Sequence, residues 1–185
     1  MNPTAICQRV ESQLVIVDVQ ERLCSSMEQQ ALGITIRNCT ILLQAAKLLA
    51  VPALYTEQYS KGLGATLPEL AQWLQPATPV EKTSFSCCEE SDFCVRLDDT
   101  RPQVVLAGME SHICILQTAL QLQEMGRCVF VPEDAVLSRN PASKANAMHR
   151  LRQAGIIVTN TESVVFEWLR VAEGDAFRQI SRLIR

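Results

Sequence analysis

A chain of 185 residues is long enough for one well-buried core and short for two domains. With 48% hydrophobic and 20% charged residues it has the balance of an ordinary globular domain, and a net charge of −3 gives no electrostatic reason to expect nucleic acid or anionic lipid as a partner. The longest apolar stretch, Ile41–Leu54, is broken by Gln44 and Lys47, so no membrane span is expected. The segment Met1 to Arg9 lacks the charged head and apolar run of a signal peptide, so the expected location is the cytoplasm.

In chain order, Leu14-Val15-Ile16-Val17 is a continuous apolar run ended by Asp18, the pattern of a strand buried on both faces. Ile34–Ala50 carries apolar residues at helical steps, and Val51-Pro52 stops it before a second strand at Ala53-Leu54-Tyr55-Thr56. Glu57–Pro68 reads as a long irregular loop, a type of segment that is often functional, followed by a helix near Glu69–Leu74. Thr78–Glu81 reads as a weak strand and Val104–Ala107 as a strong one. Gly108 then makes a turn into a helix over His112–Met125, closed by Gly126. Strand Cys128–Val131, helix Pro141–Ala154, strand Ile156–Val158 and helices near 162–170 and 174–184 complete the chain. Strands alternating with helices over short connections predict one α/β domain, a parallel sheet covered on both faces. The basic residues Arg178, Arg182 and Arg185 fall at helical spacing and read as a solvated face.

Eight cysteines, at positions 7, 24, 39, 87, 88, 94, 114 and 128, include no C-x-x-C pair. Without an export signal a disulfide framework is not expected, and most of these thiols read as small buried hydrophobes. His112 and His149 join no cysteine cluster, so zinc ligation is not expected either.

Several common chemistries are absent. The turn after the first strand, Asp18 to Leu23, contains no glycine, so backbone cannot approach a pyrophosphate there. No phosphate-loop motif and no G-x-S-x-G elbow occur. Three polar residues remain where the sheet should end: Asp18 after the first strand, Lys82 after the weak third, and Cys114 at the start of the helix after the fourth. In open parallel sheets ligands bind beyond the carboxyl ends of the strands. A thiol in a first helical turn feels the positive end of the macrodipole, and a nearby ammonium should lower its pKa further, so Cys114 is expected as a thiolate nucleophile. Asp18 is positioned to move its proton.

The segments around these residues resemble the isochorismatase-like, or cysteine hydrolase, superfamily. The matching pieces are L-V-I-V-D-V-Q at 14–20, T-E-Q-Y-S-K-G-L-G at 56–64, E-K-T-S-F-S at 81–86, G-M-E-S-H-I-C-I-L-Q-T-A-L at 108–120 and D-A-V-L-S-R at 134–139. The second of these points to the branch containing the isochorismatase domain-containing proteins. The resemblance implies a three-layer α/β/α fold with a six-stranded parallel sheet in the order 3-2-1-4-5-6, which puts strands 1 and 4 together at the reversal point. It implies a triad of Asp18 as general acid/base, Lys82 as charge stabiliser and Cys114 as attacking thiol. It also implies a non-proline cis peptide between Met109 and Glu110, with the backbone N–H groups of Glu110 and Cys114 as an oxyanion hole. Gln20, Tyr59, Leu63 and Phe85 are candidate pocket residues. The superfamily usually forms symmetric assemblies, so a homo-oligomer, dimer or tetramer, is expected, with the apolar C-terminal helices (Val164–Leu169, Ile180–Ile184) as its interface.

Departures from the family pattern narrow the function. The second strand ends without the histidine that nicotinamidases use for a metal, so no metal and no cofactor are expected. The thiol argues against isochorismate, whose vinyl ether needs a proton rather than a nucleophile. His112, two residues before Cys114, cannot face it on a helix and reads as structural. The resulting expectation is a hydrolase of a small C–N acyl substrate acting through a thioester on Cys114. A catalytically silent binding or scaffold protein, and a redox-sensing thiol protein, are the competing readings.

Overall fold

A computed structural model describes residues 6–184. Met1 to Ala5 of the N-terminal segment and Arg185 of the basic helix face lie outside the described residues.

The first half of the chain runs β1 (Ser12–Val17), α1 (Glu21–Cys24), α2 (Gln29–Leu48), β2 (Ala53–Gln58), α3 (Ser60–Leu63), α4 (Pro68–Leu74), β3 (Val80–Lys82) and α5 (Ser91–Arg96). The second half runs β4 (Gln103–Met109), α6 (Leu116–Glu124), β5 (Cys128–Pro132), β6 (Val136–Leu137), α7 (Pro141–Gln153), β7 (Ile157–Thr159), α8 (Thr161–Leu169) and α9 (Gly174–Ile184). All strand pairs are parallel, and six strands follow the order β3-β2-β1-β4-β5-β7. Every residue of β1 and β4 is buried, as their unbroken apolar runs require.

Successive side chains of β1 feed two different cores. Leu14 and Ile16 pack with α2, α8 and α9 residues such as Leu42, Val165 and Ile180, whereas Val15 and Val17 pack with Phe93, Leu122 and Leu151 on the opposite face. This period of two gives the three-layer α/β/α arrangement.

The chain differs from the sequence expectation in four places. A seventh strand, β6, is present because β5 pairs only with Gln103–Val105 of the long β4. The uncovered Gly108 and Met109 pair instead with Val136 and Leu137. Second, α2 begins at Gln29 rather than Ile34: the Glu28 carboxylate caps it, accepting from Gln30 N at 2.9 Å and Ala31 N at 2.7 Å. Third, the expected loop after Glu57 is ordered by α3 and by Gln20, whose amide donates to Gln58 O (3.1 Å) and Gly64 O (2.7 Å) and accepts from Gln58 N (2.8 Å). Finally, the apolar residues proposed as an oligomer interface are used within the chain. Val164, Val165, Trp168 and Ile180 are buried in the core, and Leu169, Leu183 and Ile184 pack against it.

The buried cysteines give the fold a testable pH dependence. Burial pushes the thiols of Cys7, Cys39 and Cys87 up to about 12, from 9.0. A folded-state pKa above the unfolded one means stability that is complete below pH 9 and is lost as pH rises toward the folded value. The slope is up to about 1.4 kcal/mol per pH unit for each thiol. Thermal melts are therefore expected to hold a constant Tm up to about pH 9 and to fall above it. Cys39→Ala should have a shallower fall than the parent chain. An unchanged slope in that variant would contradict the assignment.

Candidate active site

The strand order places β1 between β2 and β4, and three segments meet at the carboxyl ends of these strands. Asp18 follows β1 directly with φ 51, a left-handed conformation that costs an L-residue roughly 1–2 kcal/mol. Its N–H donates to Thr56 O (3.2 Å) and its own carbonyl accepts from Gln20 N (2.9 Å), which fixes the strained backbone from both sides. Lys82 is the last residue of β3. Cys114 sits in a wide helical turn, Ser111–Ile115, between β4 and α6, where Ile113 N and Ile115 N both donate to Glu110 O, at 3.0 and 3.2 Å. The expected regular helix from His112 thus begins as a π-type turn, and α6 proper starts at Leu116.

These three residues, separated by 64 and 32 positions along the chain, converge. Lys82 Nζ lies 2.7 Å from Asp18 Oδ2 and 3.6 Å from Cys114 Sγ. The carboxylate and ammonium side chains are fully buried, and Cys114 is 7% exposed. Asp18 Oδ1 accepts from Thr56 Oγ1 at 2.6 Å, and the Lys82 ammonium also donates to Gln58 Oε1 (2.6 Å) and to the carbonyls of Ser84 and Phe85 (3.2 and 3.3 Å). A buried ion pair persists only when hydrogen bonds satisfy its remaining valences; these contacts do so for the ammonium and for Asp18 Oδ1, while Asp18 Oδ2 has the Lys82 contact alone.

The thiol differs from the sequence expectation. Burial, and next the Asp18 carboxylate beside it, push Cys114 up to about 12, against the opposing pull of Lys82. Desolvation, which disfavours any charged sulfur, outweighs the pull of the helix terminus. At rest the site therefore holds a thiol beside a carboxylate, not a thiolate. Burial alone would lower the Lys82 ammonium, but Asp18, Cys114 and Cys87 outweigh it and the net direction is upward. The lysine is charged throughout the neutral range.

The other sequence candidates fall into distinct places. The Met109–Glu110 peptide is cis. The Glu110 carboxylate is buried and accepts from Arg139 N (2.9 Å) and Arg139 Nε (3.1 Å), tying the Ser111–Ile115 turn to the segment after β6. His112 Nδ1 lies 3.0 Å from Ser138 Oγ, a second tie to that segment. Gln20 is fully buried with its amide engaged in the loop clamp described above. Tyr59 and Phe85 are exposed, and Leu63 is half-buried. Tyr59 N donates to Lys82 O at 2.9 Å, and a cavity of about 350 Å³ opens there, bounded by Tyr59, Lys61, Glu81, Thr83 and Glu90. A larger hollow, about 560 Å³ around Lys144 and Arg152, includes none of the three converging residues.

Two polar neighbours were missed in the sequence, Thr56 and Gln58. The period of a strand puts both on one face of β2, and the register Gln58↔Lys82 aligns the glutamine with the lysine. That register is a tertiary fact and was invisible in the spacing. Among the described residues there is no group of three or more His, Cys, Asp or Glu side chains arranged to hold a metal ion. Nor, among them, is any helix long and apolar enough to cross a membrane.

Residues 12–163 match the family model for the isochorismatase domain. The chain belongs to the isochorismatase family. Isochorismatase domain-containing protein 2 of Danio rerio is 38% identical over 175 residues, covering 94% of this chain and 86% of that protein. The secreted isochorismatase effector Isc1 of Phytophthora sojae is 36% identical over 179 residues, covering 94% and 84%. Among solved structures, the MAR1 ribonuclease of Caenorhabditis elegans superposes with a TM-score of 0.89 at 34% identity, covering 96% of this chain and 91% of that one. The YcaC gene product of Escherichia coli, described as an octameric hydrolase of unknown specificity, has a TM-score of 0.90 at 24% identity, covering 99% and 92%. This isochorismatase-family chain thus shares its branch with the domain-containing proteins and carries the family's hydrolase fold.

Proposed function

We propose that this isochorismatase-family chain is a metal-independent cysteine hydrolase of a small C–N acyl substrate, an amide or a carbamoyl compound. One observation carries the reading: a buried carboxylate, ammonium and thiol meet, with Lys82 Nζ 2.7 Å from Asp18 and 3.6 Å from Cys114.

In the first step Cys114 Sγ attacks the carbonyl carbon while its proton passes to Asp18. A C–S bond forms and the carbonyl oxygen takes the negative charge. The N–H groups of Glu110 and Cys114 are the proposed donors to that oxygen, an interaction whose loss in other hydrolases costs about 3–4 kcal/mol. Asp18 then passes the proton to the substrate nitrogen, the C–N bond breaks and the amine leaves, giving a thioester. Water attacks the thioester carbon, Asp18 accepts its proton, the C–S bond breaks and the sulfur recovers the proton. Lys82 stays charged and offsets the negative charge held by Asp18 or by sulfur at each stage. A resting thiol suits this sequence, because the proton needed by the leaving nitrogen starts on the nucleophile.

The ribonuclease among the related structures raises RNA as a second substrate class. A net charge of −3 and a site whose carboxylate and ammonium are both buried do not favour a polyanion. The eight free thiols support a reducing compartment such as the cytoplasm, and the octameric relative supports a homo-oligomer.

A panel of p-nitroanilides and carbamoyl esters, assayed with and without chelator, tests the reading. Turnover is expected to be insensitive to chelator and to fall by at least about 10³-fold in Cys114→Ala. Full activity in that variant excludes the thioester route, and no turnover across the panel with an unreactive Cys114 favours the scaffold reading.

A further inference from the structure

We propose that Gln58 is the positioning residue for Lys82, and that its lack of charge is what leaves the lysine free to act on Cys114. The inference rests on the cysteine-hydrolase reading and adds a residue that neither the motif nor the spacing assigned.

The geometry is specific. Gln58 closes β2 directly opposite Lys82 in the parallel β2–β3 register. Its Oε1 accepts from Lys82 Nζ at 2.6 Å, as close as the carboxylate contact, and its Nε2 donates to Thr83 O at 2.8 Å. The opposite amide orientation would set an NH₂ against an ammonium and an oxygen against a carbonyl, so the contacts themselves determine which atom is which. The Gln58 backbone is in turn clamped on both its N–H and its C=O by Gln20. The Gln58 backbone is therefore fixed, and its side chain is held at both ends of the amide.

The ammonium has five acceptor atoms around it and three protons to give. With Gln58 and Asp18 each taking one at short range, Nζ is held 2.7 Å from the carboxylate and 3.6 Å from the sulfur, while the Ser84 and Phe85 carbonyls, at 3.2 and 3.3 Å, share what remains. Charge matters as well as position. The groups facing Cys114 are Asp18 from β1, Lys82 from β3 and Cys87 from the turn after β3. Glu90 reaches Lys82 only weakly from the 83–90 segment. The formal charges of Asp18 and Lys82 sum to zero, but at the sulfur Asp18 outweighs Lys82, so the site has no margin for a further anion. A carboxylate at position 58 would leave the site with an excess negative charge and commit the ammonium to two anions.

The test uses the full chain and two substitutions that separate charge from position, Gln58→Glu and Gln58→Leu. The rate of Cys114 alkylation by iodoacetamide is followed from pH 7 to 10 by peptide mass, with Cys128 as an internal reference, alongside turnover and Tm. Gln58→Glu is expected to slow Cys114 at least tenfold across the range and leave Cys128 unchanged. Gln58→Leu should change Cys114 alkylation less than threefold, yet lower kcat at least tenfold with KM little altered. Equal effects of the two substitutions on alkylation, or none, overturn the charge argument. The ¹⁵Nζ resonance of Lys82 supplies a readout independent of catalysis: it should move in both variants, and an unmoved signal overturns the contact. If that signal moves while Cys114 is inert in the parent chain, the cysteine-hydrolase reading fails and the positioning of Lys82 by Gln58 stands.

Discussion

Replacing Asp18 by asparagine is expected to move two rates of the same sulfur in opposite directions. Asp18 raises the Cys114 thiol by its charge and by accepting its hydrogen bond. Asparagine keeps the shape and can still meet Thr56 Oγ1, but it carries neither the charge nor the ability to take a proton. Simple alkylation needs only a thiolate, so iodoacetamide should react faster with Cys114 in Asp18→Asn than in the parent chain. Acyl hydrolysis needs the proton delivered to the leaving nitrogen, so turnover should fall by about 10²–10⁴-fold, the usual contribution of a positioned acid/base. Removing one member of a buried ion pair also destabilises, by about 3–5 kcal/mol in comparable cases, so both rates must be read well below the variant's Tm. Parallel loss of both rates would make Asp18 a structural partner of Lys82 and nothing more.

Gly108→Ala should produce the largest loss of stability of any single methyl addition to the site. Gly108 pairs with Val17 in the β1–β4 register and has φ +121. A Cβ there would lie 2.1 Å from Val17 O and 2.8 Å from Val17 N. Both are backbone atoms of the strand's last residue, one position before Asp18, so no rotamer change relieves the overlap. Strain in this region alone costs roughly 1–3 kcal/mol, and the displaced strand adds to it, giving an expected loss of about 3 kcal/mol or more. Urea denaturation checks this as a fall in midpoint at constant slope. Gly33→Ala is the matched control: it lies in α2 with nothing within 4 Å of the added atom, and should stabilise by roughly 0.5–1 kcal/mol. Similar midpoints for the two variants would contradict the close approach of β1 and β4.

Much of the fold was legible because its strands are buried on both faces. β1, β4 and β5 are each built on an unbroken apolar run, and the ends of the first two marked Asp18 and the Cys114 turn directly. The elements that escaped have no such signal. β6 is two residues long and exists only because β4 outruns β5, while α5 buries a single side chain, Phe93, which leaves no periodicity to read. The site was legible as three residue types at sheet ends and as a family motif. Thr56 and Gln58 became functional candidates only through the β2–β3 register. The protonation of Cys114 was misjudged because a helix terminus is a local feature and desolvation is not. The C-terminal helices misled for a related reason: apolar periodicity marks a face to be covered, and cannot say whether the same chain or another copy covers it.

The central claim is that Cys114, in contact with Asp18 and Lys82, forms the covalent bond to substrate. The most direct measurement is the intact mass of the protein within one turnover of p-nitrophenyl acetate, followed by peptide mapping across all eight cysteines. The account predicts one acyl group, carried on Cys114 and lost on a timescale set by Asp18. An acyl group on another cysteine, or a product burst that survives Cys114→Ala, would contradict it.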